Sequence, residues 1–172
     1  MYVREKIELS PHFKSVEFKC PHCNNIYINT DLIDMLEKII NSSNATKCVI
    51  NSGYRCGYYD TIIGGFKGQH SKGNACDCKF YSNSVLIPSW KILCVCQDLF
   101  KEGGFAKINN YSIHIDCRKG SIYRGDETIS NNSVTYNFYE YFKKRKEDVY
   151  EKNLNLLNNS NIEKFKGVLK ND

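Results

Sequence analysis

Nowhere in this chain do apolar residues run together for anything near the ~20 needed to cross a bilayer, so no membrane insertion is expected. The first residues, Met1-Tyr2-Val3-Arg4-Glu5-Lys6, put charges where a secretory signal would need its apolar core. We therefore expect synthesis in the cytoplasm without a signal peptide. Internal repeats are absent, and so is any Pro/Gly-rich linker, the usual mark of a boundary between large domains. No stripe of alternating aromatic and basic residues is present, and the net charge of +5 is modest, with a dense lysine cluster after residue 140. A nucleic-acid surface is not expected, although a mildly cationic chain is drawn towards anionic surfaces.

Also lacking is a partner for Cys20-Pro21-His22-Cys23. A closed structural zinc site needs four ligands, and no second Cys-x-x-Cys exists. A thioredoxin-like context for a redox motif is missing as well. We expect paired thiols or a disulfide at Cys20 and Cys23 in preference to a second metal. The nine cysteines are odd in number, and Cys76/Cys78 and Cys94/Cys96 stand two apart within apolar segments, as small buried hydrophobes do. That usage suits a reducing compartment.

A length of 172 residues allows one ordinary domain with a tail. Residues 9–29 lack long periodicity and read as an irregular wrap. Thr30 is the expected N-cap of a helix with Leu32, Ile33, Leu36, Ile39 and Ile40 on one stripe. Strands are expected at 47–51, 75–80 and 112–117, with 121–124 as hairpin partner to the last. A helix from Pro88 through Phe100 is expected to stop at Gly103-Gly104. The sum is an α+β domain over 1–130: a small, mainly antiparallel sheet, helices packed on one side, and a metal site on the open face. Residues 131–172 read as a charged helical extension.

The chemistry lies in what remains. His70 is followed seven residues later by Asp77 in Gly68-Gln69-His70-Ser71-Lys72-Gly73-Asn74-Ala75-Cys76-Asp77. Zinc takes imidazole nitrogen and carboxylate oxygen readily, and a catalytic site uses three protein ligands plus water. Ile113-His114-Ile115-Asp116 alternates as a strand that sets His114 and Asp116 on one face, offering a third ligand.

Together with Asn51-Ser52-Gly53-Tyr54-Arg55 and Ile63-Gly64-Gly65, the strings His70-x-x-Gly73-x-Ala75-x-Asp77 and His114-x-Asp116-x-Arg118 resemble the zinc D-alanyl-D-alanine carboxypeptidase family. Its relatives include VanY-type and VanX-type enzymes and phage endolysin peptidases. The likeness covers roughly residues 9 to 124. It implies a zinc peptidase of bacterial peptidoglycan stem peptides, a D,D-carboxypeptidase or an endopeptidase. Such an enzyme acts on the cell wall once released, with a holin-type partner for release if it is phage-encoded. The alternative is a non-catalytic zinc-binding interaction module of the same fold.

Carried over residue by residue, the resemblance makes His70 and Asp77 ligands of one catalytic zinc. The third ligand is open between two registers. Relatives carry His-x-His or Glu-x-x-His, and His-x-Asp here leaves either His114 or Asp116. We favour His114, because a neutral imidazole keeps zinc more Lewis acidic, and give Asp116 the general-base role. A salt bridge from Asp116 to Arg118 or Arg55 is the bland alternative. Arg55 is expected to act in catalysis and to bind substrate carboxylate or the charged intermediate, with Gln69 as a second substrate-binding residue.

Overall fold

The computed structural model describes residues 1–65, 68–129 and 137–145. In chain order the elements are β1 (Tyr2–Val3), β2 (Glu8–Ser10), β3 (Phe13–Lys14), β4 (Ile28–Asn29), α1 (Thr30–Ser43), β5 (Lys47–Ser52), α2 (Gly57–Ile62), β6 (Ala75–Ser82), β7 (Val85–Leu86), α3 (Ser89–Leu99), β8 (Gly103–Lys107), β9 (Ser112–Asp116) and β10 (Ile122–Asp126). Single 3-10 turns occupy Ser15–Phe18 and His70–Lys72. Two compact units divide the chain, Met1–Phe138 and Tyr139–Asp172. Of the extension, 131–136 and 146–172 lie outside the described residues. No helix among those described is long and apolar enough to cross a membrane.

Helix α1 forms where the aliphatic stripe requires it: Leu32, Ile33, Leu36, Ile39 and Ile40 recur at helical spacing and are all buried, each worth ~2 kcal/mol of transfer free energy. Its cap is Asn29, not Thr30. Asn29 Oδ1 accepts from the Asp31 N–H at 3.1 Å, whereas the Thr30 hydroxyl donates to the Met1 carbonyl. The helix stops at Asn44, left-handed at φ 54°, a conformation that asparagine tolerates.

The main sheet has six strands in the order β10-β8-β9-β6-β5, with β7 on the edge of β6. It is mixed, because β10 runs parallel to β8 while the other pairs are antiparallel. The fold is thus α+β, and its sheet departs from the expected one in having six strands and a parallel β8–β10 pair.

The discrepancy comes from β8. Gly103-Gly104 does not end α3, which finishes at Leu99 with Phe100 already extended. The two glycines open a strand that lies between β9 and β10, so 122–126 is not the hairpin partner of β9. Their absence of side chains serves that strand: Gly103 has φ +106°, and a Cβ on Gly104 would overlap the Asp116 carboxylate.

Register sorts the two faces. Cys76, Ile115 and Phe105 form one row, with Cys78 and Ile113 on the same side. These residues are buried on the side where α3 packs against α1, β8 and β9. Side chains alternate across a strand, so the row Asp77, His114, Ala106 and Gly125 faces the other way. One apolar core therefore holds the sheet from behind while charged groups gather in front.

Candidate metal centre

Asp77 and His114 stand directly opposite each other on adjacent antiparallel strands, the closest cross-strand relation a sheet offers. His70 comes from the 3-10 turn that leads into β6. Its Nε2 lies 3.2 Å from Asp77 Oδ1 and 3.3 Å from His114 Nδ1, and His114 Nδ1 lies 3.0 Å from Asp77 Oδ1. Zinc bound at ~2.0–2.1 Å with tetrahedral angles separates its nitrogen and oxygen ligands by about 3.4 Å, so the three donors fit one ion. Their side chains keep 9 %, 16 % and 13 % of their surface, enough to leave a fourth position approachable. Asp116 is not part of this triangle; His114 completes it.

Both imidazoles are oriented from behind. His70 Nδ1 donates to the Gly53 carbonyl at 2.8 Å, which leaves Nε2 with its lone pair for metal. On the far side of the other ring, His114 Nε2 meets Asp116 Oδ2 at 3.1 Å, which frees Nδ1. Asp116 is fully buried and forked by Arg118, from Nε to Oδ1 at 2.7 Å and from Nη2 to Oδ2 at 2.6 Å, with the Arg118 N–H adding a third bond at 3.1 Å. The carboxylate rests over Gly104, the position where a side chain cannot fit. Gly53 is similarly constrained, since a Cβ there would come within 2.5 Å of the Phe18 backbone.

Arg55 ends the turn after β5. It pairs through Nη2 with Asp77 Oδ2, places Nη1 3.8 Å from the buried Asp60 and donates from Nε to Ser52 Oγ at 2.9 Å. Its guanidinium therefore borders the metal site and grips the outer oxygen of a ligand. Gln69 Oε1 accepts from Asn74 Nδ2 at 3.1 Å.

Charge is tightly coupled here. Burial opposes ionisation of Asp77, but His114 and His70 overcome it and hold the carboxyl well below the usual range. Asp116 behaves likewise, against burial, through His114 and Arg118. Burial disfavours the His114 cation, yet Asp116 and Asp77 outweigh it and raise the imidazole to about 9. A divalent cation bound here would take the place of the His114 proton.

Two further residues escaped sequence reasoning. Glu127 follows β10 and bonds through its N–H to the Lys107 carbonyl. Burial raises its carboxyl above the ordinary value, His114, His70 and Arg55 pull it down, and Asp77 adds to the rise, so all the groups of the centre act on it. Tyr123, two residues before Gly125 on the same face, lays its hydroxyl where a Gly125 Cβ would stand, with Arg118 5.2 Å from its ring centre. Neither residue has a metal-ligand type at metal-ligand spacing, and only the parallel β8–β10 pairing brings them to the site.

A family model described as Peptidase M15 matches residues 8–116, well over half the chain, and the match contains His70, Asp77 and His114. Comparison with curated proteins and with solved structures gives no match.

Proposed function

This chain belongs to the Peptidase M15 family of zinc metallopeptidases, and from that premise we propose that it hydrolyses peptide bonds in bacterial peptidoglycan stem peptides, as a D,D-carboxypeptidase or an endopeptidase of lysin type. The observation that carries the reading is the His70–Asp77–His114 triangle, with the Arg55 guanidinium at its edge. A three-ligand site beside a forked cation suits a substrate that presents a carbonyl to the metal and a carboxylate or developing oxyanion to the arginine. The substrate class rests on the likeness of the Ser52-Gly53-Tyr54-Arg55, His70-to-Asp77 and His114-x-Asp116 strings to D-alanyl-D-alanine carboxypeptidases.

His70, Asp77 and His114 would hold the zinc, which when bound supplies Lewis acidity and a water of lowered pKa. Asp116 takes a positioning role in this scheme. Its oxygens are occupied by Arg118 and His114 Nε2, on the side of the ring away from Nδ1, so it fixes the tautomer that leaves Nδ1 for metal. Glu127, just past β10, is a further carboxylate whose charge is coupled to His114, Asp77, His70 and Arg55, and it is the candidate for proton transfer. Arg55 orients substrate, and Gln69 holds the His70 turn through Asn74.

The test is digestion of purified cell wall and of defined muropeptides by zinc-loaded protein, with mass spectrometry of the fragments. New stem-peptide ends that vanish with a chelator and with His70→Ala support the reading. Intact muropeptides, with zinc bound at His70, Asp77 and His114, would make the domain a zinc-binding interaction module.

A further inference from the structure

The second grouping of metal-binding side chains lies apart from the triangle, where Cys56 reaches the Cys20-Pro21-His22-Cys23 loop. The Sγ atoms of Cys20, Cys23 and Cys56 lie within 4.8 Å of one another. None of the three is in a disulfide. His22 Nδ1 stands 3.5 Å from Cys56 Sγ. Zinc held by sulfur at ~2.3 Å and nitrogen at ~2.0–2.1 Å in tetrahedral geometry sets those two atoms about 3.5 Å apart, so the histidine flanks Cys56 while the three sulfurs form the cluster itself. We propose that Cys20, Cys23 and Cys56 bind a zinc ion, with His22 beside Cys56 as the nearest further donor.

The loop is built for this. Cys20 N–H donates to the Asn25 carbonyl and Asn24 N–H to the Cys20 carbonyl, both at 2.9 Å, and Asn24 takes φ +58°. The turn after β5 meets this loop, and the Cys56 N–H donates to Cys20 Sγ at 3.4 Å. A donor on the sulfur favours the thiolate, which is the form that binds metal. Cys20 is wholly buried, whereas Cys23 and Cys56 are half-buried, so the ion has a packed floor and an entry path. His22 is steadied by the rings of Tyr58 and Tyr59, with centroids 4.9 and 6.4 Å away.

The position explains what a second ion would do. Cys56 follows Arg55 directly and caps α2, and the preceding Tyr54 N–H donates to the Phe18 carbonyl at 2.8 Å. A metal across Cys20, Cys23 and Cys56 would clamp the N-terminal wrap to the turn that carries Arg55 and the Gly53 carbonyl behind His70. By spacing along the chain, a closed site would need a second Cys-x-x-Cys. The fold supplies a single distant cysteine and a histidine from inside the first motif.

The test uses the full chain, purified under reductant and dialysed, with metal counted by mass spectrometry of the elements. Wild type should hold about two zinc ions, and the His70→Ala/Asp77→Ala variant about one. Cobalt substituted into that variant should show thiolate-to-metal charge-transfer absorption, which a site of imidazole and carboxylate cannot produce. Cys23→Ser and Cys56→Ser should each weaken cobalt binding about tenfold or more, and the double variant should abolish the band. A metal-free His70→Ala/Asp77→Ala protein that is folded by circular dichroism would overturn the proposal. So would cobalt bound without thiolate absorption, or a disulfide among the three cysteines in protein trapped with iodoacetamide. None of these readouts depends on peptidase activity.

Discussion

Replacing Asp116 by Asn decides between two roles for that carboxylate. Asp116 accepts three bonds from Arg118 and one from His114. The asparagine side chain has only one acceptor oxygen, so its NH2 must face a guanidinium or the His114 N–H, donor against donor. Either way the imidazole loses its charged support, and lost support of this kind costs 10–100-fold in metal affinity, about 1.4–2.8 kcal/mol. Zinc affinity measured by competition with a chromophoric chelator should fall by that factor. Turnover at saturating zinc should return to within about tenfold of wild type, because the group touches no substrate. Gly104→Ala, which pushes on the same carboxylate from below, should reproduce the affinity loss. A general base would behave in the opposite way, with wild-type zinc affinity and turnover down by two to four powers of ten. That outcome would refute the positioning role.

Glu127→Gln should retain zinc, lose about 10²–10⁴ in kcat and lose the acidic limb of the pH–rate profile; a normal profile removes Glu127 from proton transfer. Arg55→Lys should keep metal yet lower kcat/KM by about 2–4 kcal/mol, since an ammonium cannot span Asp77, Asp60 and Ser52 as the fork does. A greater loss on substrates with a free C-terminal carboxylate than on blocked ones would mark a carboxypeptidase. For the metal-stripped protein, His114 is raised from 6.5 to about 9, so the stability it contributes is complete below pH 6.5 and disappears as pH climbs through 9. The difference between wild type and His114→Gln in urea unfolding should shrink by about 3 kcal/mol over that window, and zinc affinity should rise with pH until His114 is neutral. The depressed Asp77 and Asp116 carboxyls act at the other end, with stability present above their unfolded values and lost as pH falls below about 4.

Local pattern alone determined the helix at 30–43, the strands that carry Asp77 and His114, and the residue types of the metal cluster. Each of these depends on periodicity or on a spacing within a few residues, and such information is written along the chain. Gly103-Gly104 misled for the same reason: by local chemistry a glycine pair after an amphipathic stretch stops a helix. Here the glycines open β8, because the space above Gly104 belongs to Asp116, twelve residues later. What Asp116 faces, which nitrogen of His114 is left for metal, and how Glu127 and Tyr123 come to the site all follow from strand order. Cys56 meeting Cys20 and Cys23 follows from the turn after β5 seating on Phe18. Long-range pairing is settled by which surfaces can be buried together, a property of the whole packed chain, and so only the tertiary structure decided which donors come together and which carboxylate lies behind His114.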